Sequence, residues 1–352
     1  MKGLSSYTEA IRPLDRDLMA RASQKQDSLT KPKGSLGKLE DLSIRLAGIY
    51  GTSSPSIARK VVFTMAADHG VTEEGVSAYP SEVTMQMVLN FAGGGAAINV
   101  LAKCVGAEVR VVDMGVGADV TWPDCILSRK VAMGTKNMCK GPAMSSEEAT
   151  QSVLTGAELV AQAIDEGANA IAVGDMGIGN TTAASAITAV VSGRSVPSVT
   201  GRGTGVDDAA LSLKVRAIER AIEVNVPDAA DGLDVLSKIG GFEIGGIAGA
   251  ILGAASRGVP VFIDGFVSSS AALVAAAIAP ACKDYIIASH LSVEPGHSIV
   301  LEHLGLEPLL DLRMRLGEGT GAALAFSIAD AACRVMNDMA TFEGAGVSRS
   351  DK

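Results

Sequence analysis

Short apolar runs that stop at glycine-rich loops, each loop opening onto a helix-compatible segment, recur along this chain from residue 60 onward. KVVFTMAADHG, AEVRVVDMGV, NAIAVGDMG, GVPVFIDG and KDYIIASH read as strands. Between them, SEVTMQMVLNFAGGGAAINVLA (broken by its glycines), SEEATQSVLTGAELVAQAIDEG, the Ala-rich run after GDMGIGNTT, VDDAALSLKVRAIERAI, GGIAGAILGAASRG and GFVSSSAALVAAAIAP read as helices. GTGAALAFSIADAACRVMNDMA is a long final helix. Strands without polar alternation, separated by helices, predict an α/β fold with a mostly parallel sheet covered on both faces. In such sheets ligands bind beyond the carboxyl ends of the strands, which is where the glycine loops fall.

The first fifty or so residues differ. Ile11, Leu14, Leu18 and Met19 keep a helical spacing broken by Pro13, and Leu36, Leu39, Leu42, Ile44 and Leu46 form a second such run. With no strand before them, they suggest a separate helical layer.

Charge and composition narrow the ligands. A net charge of -9, no local basic patch and 3% aromatic residues argue against nucleic-acid partners. Small anions remain available, because main-chain N–H groups bind phosphate without net positive charge. The five cysteines are odd in number and contain no CxxC, which fits a reducing, cytoplasmic compartment. The N-terminal residues show no apolar signal region. The most membrane-like stretch, residues 265–282, is rich in Ala and Ser and holds Pro280, so a buried helix is expected there rather than a membrane span.

Three loops carry candidate chemistry. GDMGIGNTT places Asp175, Gly177 and Gly179 between a strand and a helix, where free N–H groups and the helix dipole favour phosphate. The plainer reading is a tight turn capped by Asn180 or Thr181. Thr182 stands where a dinucleotide fingerprint needs its third glycine, and no GK[ST] follows. TGRGTGVDD offers Gly203 and Arg202 to an anion, or is a glycine turn with an Asp cap. Lys214, further along that helix, either reaches a phosphate or stays solvated. LGEGTG sets Glu318 between glycines at the mouth of the final helix, as an unhindered carboxylate open to ligand or as an acid favoured by the helix dipole. The four histidines form no metal set, and neither HExxH nor GxSxG occurs. No metal or cofactor is expected.

Taken together, eight segments resemble the nicotinate-nucleotide–dimethylbenzimidazole phosphoribosyltransferase family, whose members make α-ribazole phosphate for the lower ligand of cobalamin. They are TKPKGSLGKLE, AADHGVTEEGVSAYPSEVTMQMV with NFAGGGAAINVLA, GDMGIGNTT, TGRGTGVDD, GGFEIGGIAGA, FIDGFVSS, SHLSVEPGH and RLGEGTGAALA. They stand in family order across nearly the whole chain. The resemblance implies a Rossmann-like catalytic domain over residues 56–319 and a smaller helical domain built from residues 1–55 and 320–352. It also implies a homodimer, with nicotinate mononucleotide and a benzimidazole base as substrates. The family's catalytic glutamate falls on Glu318. Gly177, Gly179, Gly203 and Ser292 fall on substrate-binding segments, and Lys214 matches a substrate-site lysine. Asp175 stands where the family often has Glu, keeping the charge with a shorter reach. Ser77 and Gln86 match the region lining the base pocket. The rival readings are a Rossmann-type nucleotide-dependent dehydrogenase, against which the missing third glycine argues, and a non-catalytic ligand-binding protein.

Overall fold

The computed structural model describes residues 3–203, 205 and 207–348. Thr204 and Val206 of TGRGTGVDD lie outside the described residues, as do residues 1–2 and 349–352 of the expected helical domain. The strands are β1 (Lys60–Ala67), β2 (Ala107–Gly115), β3 (Ile126–Ser128), β4 (Ala170–Met176), β5 (Val261–Ile263) and β6 (Ile286–Ala288). They form one sheet in the order β3-β2-β1-β4-β5-β6. Every pairing is parallel. This is the Rossmann strand order, with its topological switch point between β1 and β4. The expected α/β class holds.

Burial explains the sheet. Every residue of β1 after Lys60 is buried, as is all of β4 up to Asp175, so both faces need helices over them. The helix Phe242–Ser256 is apolar almost all round and buried from Phe242 to Ala255, and it packs against Ser146–Asp165. The latter begins with a reciprocal cap. Ser145 Oγ accepts from the Glu148 amide at 3.1 Å, and Glu148 Oε2 accepts from the Ser145 amide at 2.8 Å. The stretch read as membrane-like is the buried helix Phe266–Ile278. Glu82–Val105 is long and apolar enough to cross a bilayer, but it is two helices, Glu82–Ala92 and Ala97–Val105, parted by glycines.

Some boundaries differ from the sequence reading. The first long helix spans Arg16–Ser28 rather than starting at Ile11, because Asp15 caps it by accepting the Leu18 amide at 2.9 Å. Ile11 and Leu14 are buried outside it, since Pro13 interrupts the helical run. Most of KDYIIASH is not strand: Pro280–Tyr285 is a 3-10 helix, leaving three residues in β6. The sequence reading missed β3 and the helices Gly232–Ile239 and Pro295–Leu304.

Two segments from opposite ends of the sequence pair with each other. Leu29 and Thr341 form an antiparallel bridge, and the Thr30 amide donates to the Ala340 carbonyl at 3.0 Å. The helix Thr320–Asp338 serves two layers: Phe326 stacks edge-on against Phe262 of β5 with ring centroids 5.0 Å apart, while Met336 packs with Ala22 and Ala47.

Candidate active site

The carboxyl ends of β4, β5 and β6, which are parallel neighbours in the sheet, open onto one cavity. Its wall includes Asp175 and Gly177 after β4, Gly265 after β5, and His290 and Ser292 after β6, with Gly203 and Gly317 closing it. A smaller adjoining cavity is lined by Ser77, Gly177, Gly179, Thr181 and Lys214. Two adjacent spaces therefore bring together Asp175, Gly177, Gly179, Gly203, Ser292, Lys214 and Ser77. Gln86 lines neither. It is exposed on Glu82–Ala92, which buries Val88, Phe91 and Thr84; the Thr84 hydroxyl accepts the Ile178 amide at 3.1 Å. Two positions further on, residue 86 points about 200° away around the helix.

The helix Asn180–Ser192 begins at Gly179, whose φ of 92° makes it the cap position in place of the capping side chain expected at Asn180 or Thr181. Both side chains are used elsewhere. Asn180 Nδ2 donates to Asp175 Oδ2 at 2.8 Å, and Thr181 Oγ1 accepts from Lys214 Nζ at 2.8 Å. The Asn180 and Thr182 amides are used within the turn, donating to the Gly177 and Gly179 carbonyls at 3.1 and 3.0 Å, while Gly177, Asn180 and Thr181 line the cavity. Lys214 is not solvated: it is 1% exposed. Burial brings its ammonium down to about 8, partly opposed by Glu294. Arg202 also lines the smaller cavity and forms an ion pair with Asp208.

Glu318 is where the structure corrects the sequence most. The carboxylate expected to stand open is 4% exposed. Its Oε2 accepts the Ile98 amide at 3.1 Å, at the head of Ala97–Val105, so the acid serves another helix and not its own. The residue has a left-handed φ of 64°, between Gly317 at 86° and Gly319 at 94°. A closed set of main-chain contacts holds it there. Its amide donates to the Asp175 carbonyl at 3.1 Å, and its carbonyl accepts the Thr64 hydroxyl at 2.8 Å. Gly174 of β4 lies so close that a Cβ on it would sit 2.0 Å from the Gly319 nitrogen.

Four carboxylates converge here: Asp175, Glu243, Asp264 and Glu318. Burial, reinforced by Asp264, Glu243 and Glu318, raises Asp175 to about 7 against the pull of Asn180. Burial and then Asp264 raise Glu318 too, opposed by the Ile98 amide. Glu243 is paired at 2.6 Å with the buried His69. Burial depresses His69, but Glu243, with Asp68 and Asp175, outweighs it and the ring ends raised. His290 Nε2 lies 3.5 Å from Asp264 Oδ1. Sequence reading missed Asp264, Glu243, His69, His290 and Thr64. For four of them the signal was present in ADHG, GGFEIGG, FIDG and SHLS, a charged or polar residue at a strand end or within two positions of glycine; Thr64, inside the apolar run of β1, carried none.

Sheet order and crevice define a Rossmann-type α/β protein with a site at the carboxyl ends of its strands, and a family model described as phosphoribosyltransferase matches residues 11–347, which makes the class that of a transferase. A nicotinate-nucleotide–dimethylbenzimidazole phosphoribosyltransferase from Chloroflexus aggregans is 57% identical over 348 residues, 99% of each chain. The protein of that name from Desulforudis audaxviator is 56% identical over 350 residues, again 99% of each. The crystal structure of a nicotinate-nucleotide–dimethylbenzimidazole phosphoribosyltransferase from Thermus thermophilus superposes with a TM-score of 0.91 at 47% identity, covering 96% of this chain and 100% of the other. The chain belongs to the nicotinate-nucleotide–dimethylbenzimidazole phosphoribosyltransferase family. Nothing in these relatives supports the dehydrogenase reading.

Proposed function

We propose that the chain transfers the 5-phosphoribosyl group of nicotinate mononucleotide to a nitrogen of 5,6-dimethylbenzimidazole or a related base, releasing nicotinate and giving α-ribazole 5′-phosphate. The observation that carries this reading is that Gly317, next to Glu318, shares one cavity wall with Gly177 and Gly203. Glu318 itself lines neither cavity; a sugar phosphate held by the glycine-loop amides would sit beside the turn that carries it.

In this reading the amides of Gly177, Gly179 and Gly203 hold the phosphate, with Lys214 adding charge and Ser292 a further polar contact. Ser77, in the wall of the smaller cavity, belongs to the side that receives the base, whereas Gln86, exposed on the far side of its helix, does not. One ring nitrogen attacks the anomeric carbon from the face opposite nicotinate, so β becomes α. The ring turns cationic and must lose the proton on its other nitrogen. Oε2 of Glu318 is committed to Ile98, which leaves Oε1 to take that proton, a contribution of ~10²–10⁴ in rate. A carboxylate raised by burial is a stronger base, and its charge also steadies the cationic ring as it forms. Nicotinate leaves from a pyridinium nitrogen that is already positive, so the departure needs no strong acid. Asp175, raised to about 7, carries its proton through part of the neutral range and so limits repulsion of the incoming phosphate.

The reading extends to a homodimer in the cytoplasm, with a helical domain of residues 1–55 and 320–352 beside a catalytic domain of residues 56–319. The test is direct. Purified protein given nicotinate mononucleotide and dimethylbenzimidazole releases nicotinate and forms α-ribazole 5′-phosphate in equal amounts. Nucleotide binding without base-dependent product would mean a non-catalytic binder.

A further inference from the structure

The buried Asp264 follows β5, and its carboxylate accepts three main-chain amides of a distant segment, with His290 Nε2 3.5 Å from Oδ1. Oδ1 accepts the Gly321 amide at 2.7 Å and the Ala322 amide at 3.0 Å, and Oδ2 accepts the Gly319 amide at 3.2 Å. The helix Thr320–Asp338 has no capping side chain of its own. Three of the free N–H groups at its head are therefore satisfied by one carboxylate from another strand. On the far side His290 packs so closely that a Cβ on Gly321 would meet its ring at 2.0 Å.

We infer that Asp264 is a positioning residue for Glu318: by gripping the amides on both sides of the Gly319–Thr320 link it fixes the left-handed turn on which Glu318 stands, and it holds a negative charge beside the Glu318 carboxylate. The turn is costly for a residue with a side chain. It persists because its surroundings over-determine it, and Asp264 supplies three of those restraints. The same aspartate acts electrostatically. Glu318 is faced by Asp264 from β5, by Asp175 from β4 and by the Ile98 amide from Ala97–Val105. Asp264 is faced in turn by His290 from beyond β6, which also feels Asp311. Of these groups Asp264 is the charged one that raises Glu318 most directly, after burial itself.

The inference rests on the transferase reading for its kinetic test and not for its titration test. Asp264→Asn keeps size and one acceptor oxygen but turns an NH₂ toward a main-chain N–H. Turnover should fall about 100-fold, the order expected of a small misplacement of a catalytic group, while KM for nicotinate mononucleotide stays within about threefold. The acid limb of the kcat profile should move to lower pH, because the neighbouring negative charge is gone. A merely structural aspartate would lower Tm and leave that limb in place. Titration of the ¹³C-labelled Glu318 carboxyl, assigned through Glu318→Gln, reads the same displacement without any reaction. Should Asp264→Asn not fold, Asp264→Ser, with a smaller neutral acceptor, serves both measurements. A Glu318 titration unmoved in the variant, or native turnover per folded enzyme, would overturn the inference. Absence of transfer in the native protein would instead count against the transferase reading.

Discussion

The amide of Glu318 donates to the main-chain carbonyl of Asp175 at 3.1 Å, so the loop that carries the proposed base is stitched to the end of β4 that carries the proposed phosphate loop. Two parts of the proposed mechanism, far apart in the chain, are joined by this hydrogen bond, and Gly317 and Asp175 share a cavity wall.

Gly174 is what allows that contact. A Cβ there would lie 2.0 Å from the Gly319 nitrogen and 2.2 Å from the Glu318 carbonyl carbon, both backbone atoms that cannot step aside. Gly174→Ala should therefore displace the Glu318 turn, costing about 1–3 kcal/mol of stability and about 100-fold or more in turnover. Denaturant unfolding and steady-state kinetics check the two effects, and an active variant of native stability would show the loop to be looser than described.

Asp175 makes the site electrostatically expensive. Its carboxyl, raised to about 7 by burial first and then by Asp264, binds its proton more tightly folded than unfolded, where the value is about 3.9. Its contribution to stability is thus full below about pH 4 and is lost as pH rises through about 7. Asp175→Asn removes that loss. The variant should melt above the native protein at pH 8, by the equivalent of on the order of 2 kcal/mol, and the gap should close toward pH 4. Thermal unfolding at the two pH values measures it, and a gap independent of pH would contradict the account.

Lys214 gives a limb on the alkaline side. Burial keeps its ammonium down at about 8, so its charge fades as pH rises through that value. The kcat/KM for nicotinate mononucleotide should fall above about pH 8. Lys214→Met should lower it about 10- to 100-fold at pH 7, the worth of a hydrogen bond to a charged group, and should abolish the limb. Retention of the limb in the variant would assign it to another group.

The sheet was legible because periodicity and glycine placement are local, as in β4 and the helix Asn180–Ser192. The glycine loops were legible for the same reason, and so was the position of Glu318 in the chain. What Glu318 touches was not. Its partners Ile98, Thr64 and Asp175 come from three other elements, and nothing near residue 318 encodes them. Asp264 and His69 were hidden likewise: each stands at the end of a strand, where a polar residue also suits a plain turn. The short strand β3 escaped because three residues carry too little pattern. Ile11 and Leu14 misled because a buried extended segment can mimic helical spacing when Pro13 stands between them.

The central claim is that Glu318 takes the proton of the incoming ring, and Glu318→Gln tests it with the least disturbance, since an amide oxygen still accepts from Ile98. Turnover should drop ~10²–10⁴-fold while nicotinate mononucleotide, measured by calorimetry, binds as it does to the native enzyme. Product formation at close to the native rate would contradict the account.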